Sequence, residues 1–159
     1  MNNGINVNSE IGKLKSVLLH RPGAEVENIT PDTMKQLLFD DIPYLKIAQK
    51  EHDFFAQTLR DNGAETVYIE NLATEVFEKS SETKEEFLSH LLHEAGYRPG
   101  RTYDGLTEYL TSMSTKDMVE KIYAGVRKNE LDIKRTALSD MAGSDAENYF
   151  YLNPLPNAY

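Results

Sequence analysis

Cysteine is absent from this chain of 159 residues. That excludes disulfides, thiolate metal sites and thiolate nucleophilic catalysis by the chain itself. Long apolar runs are absent too, and nothing approaches the ~20 residues needed to span a bilayer. The opening Met1-Asn2-Asn3-Gly4-Ile5-Asn6 has no basic region followed by an apolar stretch. No secretory signal is therefore expected, and the expected location is the cytoplasm. Positive charge is scarce: 17 basic against 26 acidic residues leave a net charge of -9. Without a basic stripe to meet phosphates, nucleic acid is not an expected partner, and neither is a membrane. Gly4, Gly12, Gly23 and Gly63 stand apart, so no glycine-rich phosphate loop is present. No Gly-x-Ser-x-Gly elbow occurs either.

What remains is ordinary globular material, 40% apolar and 27% charged, in a length suited to one domain. Val17-Leu18-Leu19 predicts a buried strand, ended by Arg21-Pro22-Gly23. Thr30-Pro31-Asp32 predicts a helix start and a short helix through Leu37. Leu45, Ala48, His52, Phe55 and Leu59 recur at helical spacing, so 44–62 predicts an amphipathic helix closed by Gly63. Residues 64–69 predict a second strand. Strand, helix and strand in that order, with a long crossover, allow parallel pairing.

Residues 71–146 change character. Leu72, Val76 and Phe77 suggest a short helix. Thr83-Lys84-Glu85-Glu86 fits a capping box before Phe87, Leu88, Leu91, Leu92 and Ala95, with Gly96 as the stop. Leu106, Tyr109, Leu110 and Met113 mark another helix. Ser114 or Thr115 caps one carrying Met118, Val119, Ile122, Tyr123 and Val126. These stripes read as a small bundle packing its own core. Residues 137–147 are ambiguous, and 148–152 predict an aromatic strand before the rigid Asn153-Pro154-Leu155-Pro156-Asn157 loop.

Candidate chemistry is thin. His90 and His93 share a helix face, but with Glu86 or Glu94 they still fall short of a zinc ligand set, so no metal site is expected. His52 sits on an apolar face and reads as a packed histidine. Asp40-Asp41 reads most simply as capping the following helix; the functional alternative is a charge turned into a cleft. Asn157, taken alone, reads as the end of a turn after Pro156.

Taken together, Ile5-Asn6-Val7-x-Ser9-Glu10-x-Gly12-Lys13-Leu14, His20-Arg21-Pro22-Gly23, Leu37-Leu38-Phe39-Asp40-Asp41-Ile42-Pro43, Ala48-Gln49-x-Glu51-His52-Asp53 and Asn153-Pro154-Leu155-Pro156-Asn157 resemble arginine deiminases of the streptococcal type. Their order and spacing across the whole chain carry the resemblance. It implies an α/β fold: the first module of a five-module, pentein-like propeller around a substrate channel, with a helical domain inserted. By position, 1–70 would be the first module and 71–147 the insert. Residues 148–159 would return to the propeller.

The resemblance further implies hydrolysis of L-arginine to L-citrulline and ammonia through a cysteine-bound amidino intermediate, with no metal or organic cofactor. Carboxylates hold the guanidinium and a histidine moves protons. The family's Phe-Thr-Arg-Asp segment would come just after Asn157, and the nucleophile later, so no catalytic residue is expected in this chain and it is expected to be inactive alone. Carried over by position, Asn157 would contact the amino-acid end of arginine and Leu38 would do so through its main chain. Asp41 would order the Leu38 loop. Homo-oligomers are expected. The alternative function is a non-catalytic oligomerisation or arginine-binding module.

Overall fold

The strand, helix, strand order forms, and its strands pair parallel. In the computed structural model, which describes residues 7, 9–131, 133 and 149–156, β1 (Ser16–Leu19) lies beside β2 (Glu65–Tyr68). The register runs from Ser16↔Glu65 to Leu19↔Tyr68. Parallel neighbours need a long crossover. This one carries α1 (Ala24–Glu27) and the 17-residue α2 (Leu45–Asp61). Past α2, Gly63 takes φ +80, a left-handed turn that a residue without Cβ makes freely.

β1 is not the buried strand expected from its apolar run. Its sheet has two strands among the described residues, and Leu18 is 55% exposed. The reason is placement: the main core of the chain lies among the later helices, so β1 has no apolar layer over Leu18.

The segment after Thr30 is a second departure, because it is a run of turns and not an α-helix. The hydroxyl of Thr33 displaces the expected cap: it accepts the Thr30 amide at 2.9 Å and donates to the Asn28 carbonyl at 2.6 Å. Backbone bonds then alternate in span, with Met34 N–H reaching Thr30 and Leu38 N–H reaching only Lys35. No regular ladder is established.

β2 leads directly into α3 (Ile69–Lys79), followed by α4 (Ser81–Glu94), α5 (Arg101–Thr111) and α6 (Thr115–Ala124). Leu72 and Val76 of α3 are exposed while Phe77 is buried. The cap of α4 falls on Ser80 instead of Thr83. The Ser80 hydroxyl accepts both the Thr83 amide and the Thr83 hydroxyl, so the helix begins earlier than the Thr83 box suggests. Gly96 stops it at φ +89. Ser114 caps α6 by accepting the Asp117 amide at 3.1 Å.

Val126 does not continue α6 as its apolar spacing suggested. Gly125, at φ +81, ends the helix and sends Val126 into β3 (Val126–Arg127). A 3-10 turn at Lys128–Glu130 follows. The aromatic strand is β4 (Phe150–Leu152), antiparallel to β3. The ambiguous stretch 137–147 lies outside the described residues.

One cluster forms the core: Phe77, Leu88, Leu92, Leu106, Leu110 and Met118 from the helices, joined by Val126, Tyr151 and Leu152 from β3 and β4. Leu92, Leu106 and Leu110 are wholly buried, and each such leucine contributes about 2–5 kcal/mol judged by truncation to alanine. No helix among the described residues is long and apolar enough to cross a membrane.

Candidate functional site

The Pro31–Phe39 turn ends as helices end, but with an unusual residue. Leu38 N–H donates to Lys35 at 3.3 Å and Phe39 N–H donates to Met34 at 2.9 Å. This pair of bonds is the Schellman arrangement, whose left-handed position normally holds glycine. Leu38 holds it here, at φ 61, with its side chain 86% exposed. A β-carbon in this conformation costs about 1–2 kcal/mol, and nothing is buried in return.

Just beyond, the Asp41 carboxylate accepts the Ile42 amide at 2.8 Å. The expected capping of the next helix does not occur. α2 starts after Tyr44 with no side-chain cap, because Ile42 and Pro43 hold the aspartates too far from the helix end.

The same turn reaches across to the proline-rich loop. Gln36 Nε2 donates to Asn153 Oδ1 at 3.1 Å, and Leu155 N–H donates to the Tyr123 carbonyl at 2.9 Å. The Leu38 segment and the segment leading to Asn157 are thus neighbours. Asn157 itself lies outside the described residues.

A second constellation surrounds His20. His20 follows β1 and Glu70 sits in the first turn of α3, just after β2. Since Leu19 pairs with Tyr68, the two residues leave the carboxyl ends of adjacent parallel strands together, where open α/β sheets commonly bind ligands. His20 Nδ1 is 3.2 Å from Glu70 Oε2 and Nε2 is 3.3 Å from Glu25 Oε1. Glu25 also accepts the Gly23 amide. Tyr123 stacks on the imidazole with centroids 4.2 Å apart. These residues border a cavity of about 310 Å³ together with Arg21 and Gln49.

The turn holding His20 is pinned to α2. Arg21 forms a two-pronged ion pair with Asp53, at 2.8 and 2.9 Å, and Gln49 Nε2 donates to the Pro22 carbonyl at 2.9 Å. So the His20-Arg21-Pro22-Gly23 and Ala48–Asp53 stretches, far apart in sequence, interlock. His52 packs tilted against Tyr68, 5.9 Å between centroids. Burial lowers its pKa and its Nε2 has no partner among the described residues, as befits a packed histidine. His90 and His93 are exposed on α4, and among the described residues no group of three or more His, Cys, Asp or Glu side chains could hold a metal ion.

Sequence reasoning missed the His20, Glu25 and Glu70 grouping. Its one available signal was position, a histidine and a glutamate each just past a strand of a parallel pair.

Comparison with known proteins decides the family. The family model for arginine deiminase matches residues 35–159. The chain belongs to the arginine deiminase family. It is 99% identical over its full 159 residues to the arginine deiminase of Lactococcus lactis subsp. cremoris, covering 39% of that protein. Identity is 58% to the arginine deiminase of Latilactobacillus sakei and 55% to that of Limosilactobacillus reuteri, again over the whole chain and 38% of each relative. The chain therefore spans well under half the length of these arginine deiminases. The turn at Leu38 and the Asn153–Pro156 loop both fall within the matched region.

Proposed function

We propose that this chain is the amino-terminal part of an arginine deiminase, an enzyme hydrolysing L-arginine to L-citrulline and ammonia through a cysteine-bound amidino intermediate. The arginine deiminase match across 35–159 carries the reading. The chain has no cysteine, so the nucleophile belongs to the remainder of such an enzyme. In this reading 1–70 form the first module of a pentein-like propeller, 71–147 a helical insert and 148–159 the return. The complete protein is cytoplasmic and homo-oligomeric, and needs no cofactor.

Arginine's amino-acid end is assigned to Leu38 and Asn157. Three observations support this: the strained backbone at Leu38, its exposure, and the Gln36–Asn153 bond that holds the two segments together. Strained backbone concentrates where a ligand or mechanism requires it. Because Leu38 N–H is donated to Lys35, its contact with arginine falls to the carbonyl, a suitable acceptor for an α-ammonium group. Asp41 orders the loop by holding the Ile42 amide.

Citrulline formation from L-arginine tests the reading. A protein of the relatives' full length should turn over, and this chain alone should not. Turnover by the chain alone, or none by the full-length protein, overturns it. In the full-length protein, Asn157→Ala should raise KM about tenfold or more, the loss of a hydrogen bond to a charged group. Leu38→Gly, which keeps the main-chain contact, should leave KM within about twofold.

A further inference from the structure

His20 is 5% exposed, and Glu25, at 1%, is more deeply buried still. Both ring nitrogens of His20 face carboxylate oxygens. An ionised carboxylate can only accept hydrogen bonds, and a neutral imidazole has a single N–H to give. With one proton, the other nitrogen would set its lone pair against an acceptor. Imidazolium alone satisfies both contacts.

The surroundings favour that cation. Glu25 approaches from α1 and Glu70 from α3. α6 contributes Tyr123, stacked on the ring, and Glu120, which borders the same cavity. Arg21 also borders it, but its guanidinium is committed to Asp53 of α2. His52, the other titratable group on α2 near this corner, is biased towards its neutral form by burial. One cation against Glu25 and Glu70 leaves one excess negative charge, and deprotonation would leave two with one bridge broken.

We propose that His20 is a proton-operated clasp: as imidazolium it ties the end of β1 to α1 and α3, and losing its proton as pH rises loosens the seam between the parallel strands and the helices. Burial opposes the charge on His20, but the hydrogen bonds and charges of Glu25 and Glu70 together outweigh it and raise its pKa above the ordinary 6.5. Burial likewise opposes the Glu25 charge, and the bonds from His20 and the Gly23 amide overcome that, lowering its pKa below 4.5. A raised histidine stabilises below its unfolded pKa, and that contribution is lost as pH climbs through the folded value. A lowered glutamate stabilises above its unfolded pKa and loses that contribution as pH falls through the folded value. The clasp is thus closed in mild acid and opens on the alkaline side.

Hydrogen–deuterium exchange of the protein, corrected for intrinsic rates, tests this in peptides covering β1, α1 and the first turn of α3. From mildly acid to alkaline pH, protection there should fall about tenfold, the loss of one charge-assisted hydrogen bond. Peptides of α5 should not change. His20→Gln should flatten the response. Glu70→Gln, which keeps the histidine but removes an anion, should move its midpoint to lower pH. A flat wild-type profile, a response that survives in His20→Gln, or an unmoved midpoint in Glu70→Gln overturns the proposal.

Discussion

Asn28 grips the end of α6 at Ala124. Its Nδ2 donates to the Ala124 carbonyl at 2.5 Å, while its Oδ1 accepts from Arg127 Nε at 2.6 Å. One side chain from the crossover thereby satisfies a helix-end carbonyl and holds the arginine of β3. Asn28→Ala leaves a buried carbonyl unmet, so stability should fall by about 1–3 kcal/mol. Asn28→Asp should not rescue it, because a carboxylate cannot donate to that carbonyl. Urea unfolding of the two variants checks both statements.

Two left-handed glycines should respond differently to the same substitution. At Gly125 an added Cβ would lie 2.6 Å from Pro154 N and 2.7 Å from the Leu152 carbonyl oxygen, both backbone atoms; at Gly63 it would meet nothing within 4 Å. Gly63→Ala should therefore show only the conformational cost, about 1 kcal/mol. Gly125→Ala must also push β4 away from α6 and should destabilise by about 3 kcal/mol or more. Thermal melting of both variants gives the comparison.

Leu38→Gly should stabilise the chain, by up to about 1 kcal/mol, because it relieves a left-handed β-carbon and removes a side chain that is 86% exposed. A loss of stability would mean that the leucine side chain has a packing role. Denaturant midpoints at unchanged slope distinguish the outcomes.

Tyr109 should titrate late. Burial, then the 2.8 Å hydrogen bond its hydroxyl donates to Glu130, then the charge of that carboxylate, push its pKa up to about 12. The neutral phenol is favoured in the folded state. Its stabilising effect is therefore present below the unfolded pKa near ~10 and lost as pH rises through the folded value. Ultraviolet difference titration should show a late phase that diminishes in Tyr109→Phe.

Helices α2, α4 and α6 were legible because each carries an apolar stripe and a marked end. The stops at Gly63 and Gly96 and the starting cap at Ser114 all fall where spacing placed them, whereas the four-residue α1 is too short to carry such a stripe. Errors arose where two readings shared one pattern. Val126 is in phase with the α6 stripe, and only the glycine before it marks the change to strand. Thr83 and Ser80 both precede acidic residues, and the choice between them depends on where the chain leaves α3. Leu18 reads as buried because apolarity reports preference and not coverage. In the site, the Leu38 turn was marked by its motif, but the left-handed leucine was hidden, since nothing in local spacing calls for φ above zero at a leucine. The His20 grouping was hidden for another reason: His20 and Glu70 meet only through the β1–β2 register, a long-range fact.

That register also sets an order of assembly. The α3–α4 and α5–α6 pairs join helices adjacent in sequence, whereas β1 must wait for β2 across the whole crossover and bear the entropy of closing that loop. The helical cluster should therefore form first and the strand pair dock onto it late. Truncating Val17 should then mainly speed unfolding, while truncating Leu106 should slow folding.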